Sequence, residues 1–336
     1  VLLFGESAGA VDTSLHVALP SSQGLFQAAI IQSGSPVVRT LEAASEAGQA
    51  AVADTSCGSA SDIAACLRAL PVEDLVRALP GSIGIGSVSL GNAAGSYGPV
   101  LDGRLVSDTP LALIRAQRAA PGPHPAVVVG SNSDELAELL AVPVPTAEAY
   151  ETIVRTNLAV PIAARTGQPV AEVTATLLAT YPVASYPTPR DALVDVYTDL
   201  RFTCPAVELL AALETPSSAT TNPRRYLFAR RAEGRNGELP ASHGRELLYV
   251  FGSWRNIPLY DPTDADRRVS SAMLGAWASL AAQSDRPAPA PTVPLVGGWP
   301  SWSASLGSTL VFDDPLAVEV APREDRCAMW RDLATP

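Results

Sequence analysis

The chain opens on an apolar run, Val1-Leu2-Leu3-Phe4, that passes directly into Gly5-Glu6-Ser7-Ala8-Gly9. Such a run reads as a strand over 1–4, and 8–19 can follow it as a helix. Residues 25–33 (LFQAAIIQS) read as a helix end followed by a buried strand. Helical composition returns at 41–53 and 60–69, and Pro71 suits the first position of a further helix over 72–79. Residues 81–98 are rich in Gly, Ser and Asn and read as a surface loop. A β-branched strand over 126–129 follows Pro125 and ends at a turn, Gly130-Ser131-Asn132-Ser133. Helical periodicity then dominates from 135 to 214, with breaks expected at Pro161, Pro182 and Pro187. A strand over 225–229, a polar glycine-bearing stretch over 232–246, and a long amphipathic helix over 264–282 carrying Trp277 come next. A Pro/Gly-rich connector over 286–300, a strand over 309–312 and a helix over 323–333 finish the chain. Strands alternating with helices favour an α/β over an all-β fold. No internal repeat appears, and no linker cleanly separates two domains.

Composition narrows the function. With 336 residues the chain can bury a large core, and no apolar run is long enough to span a membrane. A net charge of −11 argues against nucleic acid and anionic membrane surfaces as partners. There is no lysine, and alanine and proline abound, which suggests a GC-rich bacterial coding sequence. His16, His124 and His243 lie far apart without metal-ligand spacing, and no Cys-x-x-Cys occurs, so neither a metal nor a cofactor is expected. Four cysteines allow two disulfides in three connectivities, or four thiols in a reducing compartment. Gly84-x-Gly86 lacks the third glycine, the helix and the acidic partner of a nucleotide site.

The chemistry is concentrated at Gly5-x-Ser7-x-Gly9. An apolar strand that delivers this pattern into a helix is a nucleophile elbow, a strained turn that holds a serine hydroxyl clear of the backbone. Glycines are expected on both sides because the two arms of the turn nearly touch. The alternative is an ordinary glycine-rich strand-to-helix turn. A serine hydroxyl needs a base, and the base needs an orienting carboxylate. On this topology the order is Ser, acid, His, which removes His16. His124 precedes a strand and so stands at its wrong end, whereas His243 follows one. Chemistry in open α/β sheets gathers at the carboxyl ends of strands. Ser7, Asp134 or Glu135, and His243 each follow a strand in that sense.

These blocks resemble those of the type-B carboxylesterases, the family that includes the cholinesterases. The start resembles the family's FGESAGA block, and residues 25–35 its LF..AI.QSGS block. VVVGSNSDE, ending at Glu135, resembles the acid block, and His243-Gly244-x-Glu246-Leu247 with Phe251-Gly252 resembles the histidine block. Asp199-x-x-Phe202-x-Cys204-Pro205 and Cys327-x-x-Trp330 resemble the blocks holding a long-range disulfide. The resemblance covers the whole chain in order. It implies an α/β-hydrolase fold and a Ser7-Glu135-His243 triad, and so prefers Glu135 to Asp134. It implies the Ala8 N–H as an oxyanion donor and Ser33 and Glu246 as groups around the triad. It implies disulfides Cys57–Cys66 and Cys204–Cys327, and hence a secreted or cell-envelope protein. Residues 92–97 (NAAGSY) would line an acyl pocket.

Two features depart from the family. Leu136 stands where a glycine is usual. The chain also begins, without a methionine, on the last residues of what is normally a central strand. It therefore reads as the C-terminal portion of one α/β-hydrolase domain, 1–336, with the front strands and the family's Gly-Gly oxyanion motif upstream of Val1. The expected activity is hydrolysis of small-molecule carboxylic esters, weak or absent in this portion alone. The rival readings are a catalytically silent cholinesterase-like adhesion or scaffold protein, and a lipase.

Overall fold

The computed structural model describes residues 1–78, 98–120, 124–214, 223–234, 237–254, 260–282, 293 and 298–334. Residues 92–97 and most of the 286–300 connector lie outside them. Contacts divide the chain into two compact units, one of Val1–Pro36 with Leu111–Pro336, the other of Val37–Pro110. Both junctions fall at a proline.

The smaller unit holds a two-residue parallel pairing of β3 (Arg39–Thr40) with β4 (Val100–Leu101). It also holds α2 (Leu41–Ala53), α3 (Ile63–Ala69) and α4 (Val72–Ala78). Thr40 and Asp62 cap α2 and α3 by accepting the N–H groups of Ala43 and Ala65. Cys57 and Cys66 are disulfide-bonded, Cα–Cα 5.7 Å.

In the larger unit a six-stranded sheet takes the order β1 (Leu2–Glu6), β2 (Ala28–Gln32), β5 (Ala126–Asn132), β6 (Arg224–Phe228), β9 (Ser308–Phe312), β10 (Ala317–Val320). Neighbours are parallel from β1 to β9, and β10 runs antiparallel. Its helices are α1 (Ala8–Ala18), α5 (Pro110–Ala119), α6 (Ala147–Ile153), α7 (Val160–Thr166), α8 (Val170–Thr180), α9 (Pro189–Thr198), α10 (Cys204–Leu213), α11 (Glu246–Phe251), α12 (Asp264–Ala282) and α13 (Glu324–Ala334). A small hairpin, β7 (Ala232–Gly234) with β8 (Gly237–Leu239), precedes α11.

The continuous apolar runs of β2, β5 and β9 are explained by burial on both faces, whereas β1, at the sheet edge, is half-buried with Phe4 exposed. Ile30, Val128, Tyr226, Phe228, Leu310 and Phe312 form one cluster with Met273 and Trp277 of α12 and Tyr249 of α11. The residues that alternate with them, Ala29, Ile31, Val127 and Val129, are buried as well. At about 25 cal/mol per Å² of apolar surface, each such Val, Ile or Phe contributes about 1.5–3 kcal/mol.

Three local expectations are corrected. The strand expected over 126–129 runs on to Asn132, because Gly130, Ser131 and Asn132 pair with Tyr226, Leu227 and Phe228 of β6. Pro161 does not break a helix. It occupies the first turn of α7 behind a π-helical segment, Val154–Ala159, whose wider turn removes the carbonyl clash a proline makes in an α-helix interior. The last strand, β10, was not expected. Its side chains are all exposed, so it carries no burial signal.

Candidate active site

Ser7 sits between β1 and α1 with φ 57° and ψ −116°, off the regions a serine favours, at an expense of order 1–3 kcal/mol. The turn is held from both sides. Ser7 N–H donates to Gln32 O at 3.0 Å, and Ser7 O accepts from Ala10 and Val11 N–H at 3.0 and 3.1 Å. A Cβ on Gly5 would fall on the Gly9 carbonyl, so glycine is required there by close approach. Gly9 itself has open space where its Cβ would be, which corrects the expectation that both glycines are needed. Gly34 also packs closely against the elbow, its Cβ position lying 2.6 Å from Ala10 Cβ and 2.9 Å from Ser7 O. Ala8 is the first residue of α1, so its N–H has no acceptor within the helix.

His243 follows the β7–β8 hairpin, and Glu135 lies in the turn after β5. His243 Nε2 is 2.7 Å from Ser7 Oγ, and Nδ1 is 2.7 Å from Glu135 Oε2. Glu135 is fully buried. Its Oε1 accepts Asn132 N–H at 2.8 Å, and its carbonyl accepts His243 N–H at 3.0 Å. Asp134, the neighbouring carboxylate, points elsewhere and accepts from Arg231 at 2.7 and 3.1 Å. Leu136 is buried, and the turn it occupies still brings Glu135 onto the histidine. His16 hydrogen-bonds Ser22, and His124 lies 3.2 Å from Ala120 O.

Glu246 opens α11, fully buried, and its oxygens accept from Asn132 Nδ2 at 2.6 Å and Gln32 Nε2 at 3.1 Å. Trp277 Nε1 in turn donates to Gln32 Oε1 at 3.0 Å. Burial, then the Glu135 charge, pushes the Glu246 carboxyl up to about 7, against the Asn132 hydrogen bond. Ser33 is buried at φ 53°, and its Oγ has no hydrogen-bond partner. Its N–H donates to Gly130 O at 2.9 Å, beside the elbow but without a bond to the triad.

Three features at this site escaped sequence reasoning. Glu6, inside the elbow motif itself, brings Oε1 to 3.2 Å from His243 Nε2. Its carboxyl is raised by burial and by the Glu135 charge, against the pull of His243. Asn132 links Glu135 to Glu246, and its place in the acid block was the available signal. Phe202 packs against His243 with ring centroids 5.0 Å apart and planes tilted by 49°, projecting from a π-helical segment, Asp199–Thr203. For His243, burial works against the imidazolium. The Glu135 hydrogen bond and charge, with Glu6 and Glu246, outweigh burial and raise its pKa.

Cys204 and Cys327 form the second disulfide, Cα–Cα 5.0 Å, joining α10 to α13. Among the described residues no cluster of His, Cys, Asp or Glu could hold a metal ion, and no helix is long and apolar enough to cross a membrane.

Comparison with known proteins agrees with this architecture. The chain is 27% identical over 350 residues to an acetylcholinesterase of Bungarus fasciatus, covering 98% of this chain and 55% of that protein. A solved structure titled PNB esterase superposes with TM-score 0.70 at 24% identity, over 98% of this chain and 63% of that one. A thermophilic PNB esterase gives TM-score 0.72 at 23% identity, over 98% and 62%. The fold is that of the α/β-hydrolase esterases, and the chain spans little more than half the length of the acetylcholinesterase it matches. The carboxylesterase family model matches residues 1–330, and the chain belongs to that family.

Proposed function

We propose that the protein hydrolyses carboxylic esters through an acyl-enzyme, with Ser7 as nucleophile, His243 as general base and acid, and Glu135 as the orienting carboxylate. The observation that carries this reading is the unbroken chain of 2.7 Å contacts, Ser7 Oγ to His243 Nε2 and Nδ1 to Glu135 Oε2. Glu135 accepts a proton-bearing Nδ1, which leaves the Nε2 lone pair facing the serine hydroxyl.

Ser7 Oγ attacks the ester carbonyl as its proton passes to Nε2. The Ala8 N–H is the assigned donor to the tetrahedral oxyanion. Nε2–H then protonates the leaving alcohol as the C–O bond breaks, giving the acyl-enzyme. A water attacks that acyl carbon with its proton taken by Nε2, and collapse returns the proton to Ser7 and releases the acid. Ser33 and Glu246 are read as groups supporting this centre. The substrate class is a small-molecule ester, and no cofactor is invoked. The two disulfides fit an oxidising compartment, and we read the protein as exported.

In the full-length protein, Ser7→Ala should abolish hydrolysis of a p-nitrophenyl ester without altering the circular dichroism spectrum. Glu135→Gln should lower kcat about 10³–10⁴-fold by spoiling the histidine tautomer, whereas Asp134→Asn should cost less than about 10-fold. Equal losses would overturn the choice of acid. An organophosphonate should label Ser7; a folded protein that neither labels nor turns over would favour a silent scaffold.

A further inference from the structure

Arg323 stands immediately before α13 with a positive φ of 67°, a conformation that disfavours an arginine. Its guanidinium is a junction. Nη1 donates to Asp199 Oδ1 at 2.8 Å, Nη2 lies 2.9 Å from Asp195 Oδ1, and the same Nη2 donates to the Ser133 carbonyl at 3.2 Å. The anchor is stiff. Asp199 is fully buried and also accepts from Tyr181 Oη at 3.0 Å and Arg326 Nη1 at 3.2 Å. The Cys204–Cys327 disulfide ties α13 down within a turn of Arg323.

The grip on Ser133 falls on the backbone that leads into Glu135. Ser133 N–H donates to Phe228 O at 2.9 Å, and Asp134 N–H to Ala241 O at 3.1 Å. Arg323 holds the carbonyl face of the same peptide unit whose N–H face is held by Ala241. Charge neutralisation does not require this contact. Arg323 and Arg326 together balance Asp195 and Asp199, Arg326 donating to them at 2.7 and 3.2 Å, and the Ser133 carbonyl is neutral. Of the two, it is Arg323 that bonds to Ser133 O, whereas Arg326 donates to Tyr186 Oη at 3.3 Å and lies over the Tyr181 ring.

We infer that Arg323 is a positioning residue for the acid: from α13 it fixes the Ser133–Asp134 peptide plane, and through it the approach of the Glu135 carboxylate to His243. The inference rests on the assignment of Glu135 under the proposed function. A lysine at this position keeps the positive charge, but one ammonium cannot reproduce the planar fork that spans two aspartates and a carbonyl.

The test is a double-mutant cycle in the full-length protein, with kcat counted per site titrated by an organophosphonate so that folded enzyme alone is measured. Arg323→Lys should lower kcat about 10-fold with KM within about twofold, as expected for a misplaced catalytic group. Arg326→Lys, in the same cluster without the Ser133 contact, should change kcat less than about twofold. In a Glu135→Gln background, Arg323→Lys should have no further effect, because the group it positions is already lost. Should the lysine variant fail to fold, Arg323→Gln, which keeps amide donors without the charge, goes through the same cycle. A loss that persists undiminished in the Glu135→Gln background makes Arg323 merely structural and overturns the inference while the triad stands. A Glu135→Gln enzyme with undiminished kcat removes the acid assignment, and the inference falls with it.

Discussion

At the scale of single residues, three carboxylates, Glu135, Glu6 and Glu246, surround one imidazole and raise its pKa above the ordinary 6.5. As the proposed base, His243 must be neutral to accept a proton from Ser7, so kcat/KM should fall as pH drops through that pKa. The acid limb of the profile should therefore have its midpoint above 6.5, the ordinary value. Glu6→Gln removes a charge that raises the pKa, with Oε1 3.2 Å from Nε2, and should move that midpoint to lower pH. A kcat/KM profile against pH for both proteins checks it; an unmoved or upward-moved limb would show that Glu6 does not act on His243 through its charge. The choice between Asp134 and Glu135 also lives at this scale. Their adjacency in sequence leaves both within reach of a base. The difference arises because Arg231, far along the chain, takes Asp134, while His243 N–H takes the Glu135 carbonyl.

At the scale of elements, β5 shows why a strand can outrun its apolar signal. Gly130-Ser131-Asn132 has turn composition, yet parallel pairing to β6 carries it as strand, and the gain is a buried Asn132 at the site. Gly130 is there because a Cβ would enter the Tyr226 ring, and Tyr226 is fully buried. Gly130→Ala should therefore destabilise by about 1–3 kcal/mol through overpacking. Gly9→Ala, with open space at its Cβ, should be neutral or stabilise by up to about 1 kcal/mol through helix propensity. Thermal melts of the two variants should rank Gly130→Ala far below Gly9→Ala, and the opposite order would mean that Tyr226 yields. The prolines teach a matching lesson. Pro161 and Pro205 each sit in the first turn of an α-helix behind a π-helical segment. The second of those segments is the one that brings Phe202 against His243. A reading based on α-helical period alone treats such a proline as a stop and misses the widened turn.

At the scale of the whole molecule, disulfides contribute according to the loop each closes. Cys204 and Cys327 are 123 residues apart and Cys57 and Cys66 only 9. Chain entropy then gives about 5 kcal/mol for the long loop and about 2.5 kcal/mol for the short one. Guanidinium melts should show a larger loss for the Cys204→Ser/Cys327→Ser pair than for Cys57→Ser/Cys66→Ser. Equal losses would mean that native-state effects outweigh loop entropy. Non-reducing peptide maps of protein from its native host should recover both linkages. Free thiols at all four positions would remove the case for export.

The sequence by itself determined what contiguous residues can specify. An apolar run entering Gly5-Glu6-Ser7-Ala8-Gly9 carries its strand, its strained turn and its helix within a dozen positions, and the order of the blocks carried the fold class and the residues of the proposed triad. Gly5 was legible because a close approach of the backbone to itself is local. Only the tertiary structure decided which neighbours compete for each polar group. Glu246 meets Asn132 and Gln32 because β2, β5 and α11 converge, and Arg323 reaches Ser133 O across 190 residues of chain. Those contacts depend on where separate elements are packed against one another. No spacing along the chain encodes that packing, and so the groups that surround the proposed triad came into view only once the sheet was assembled.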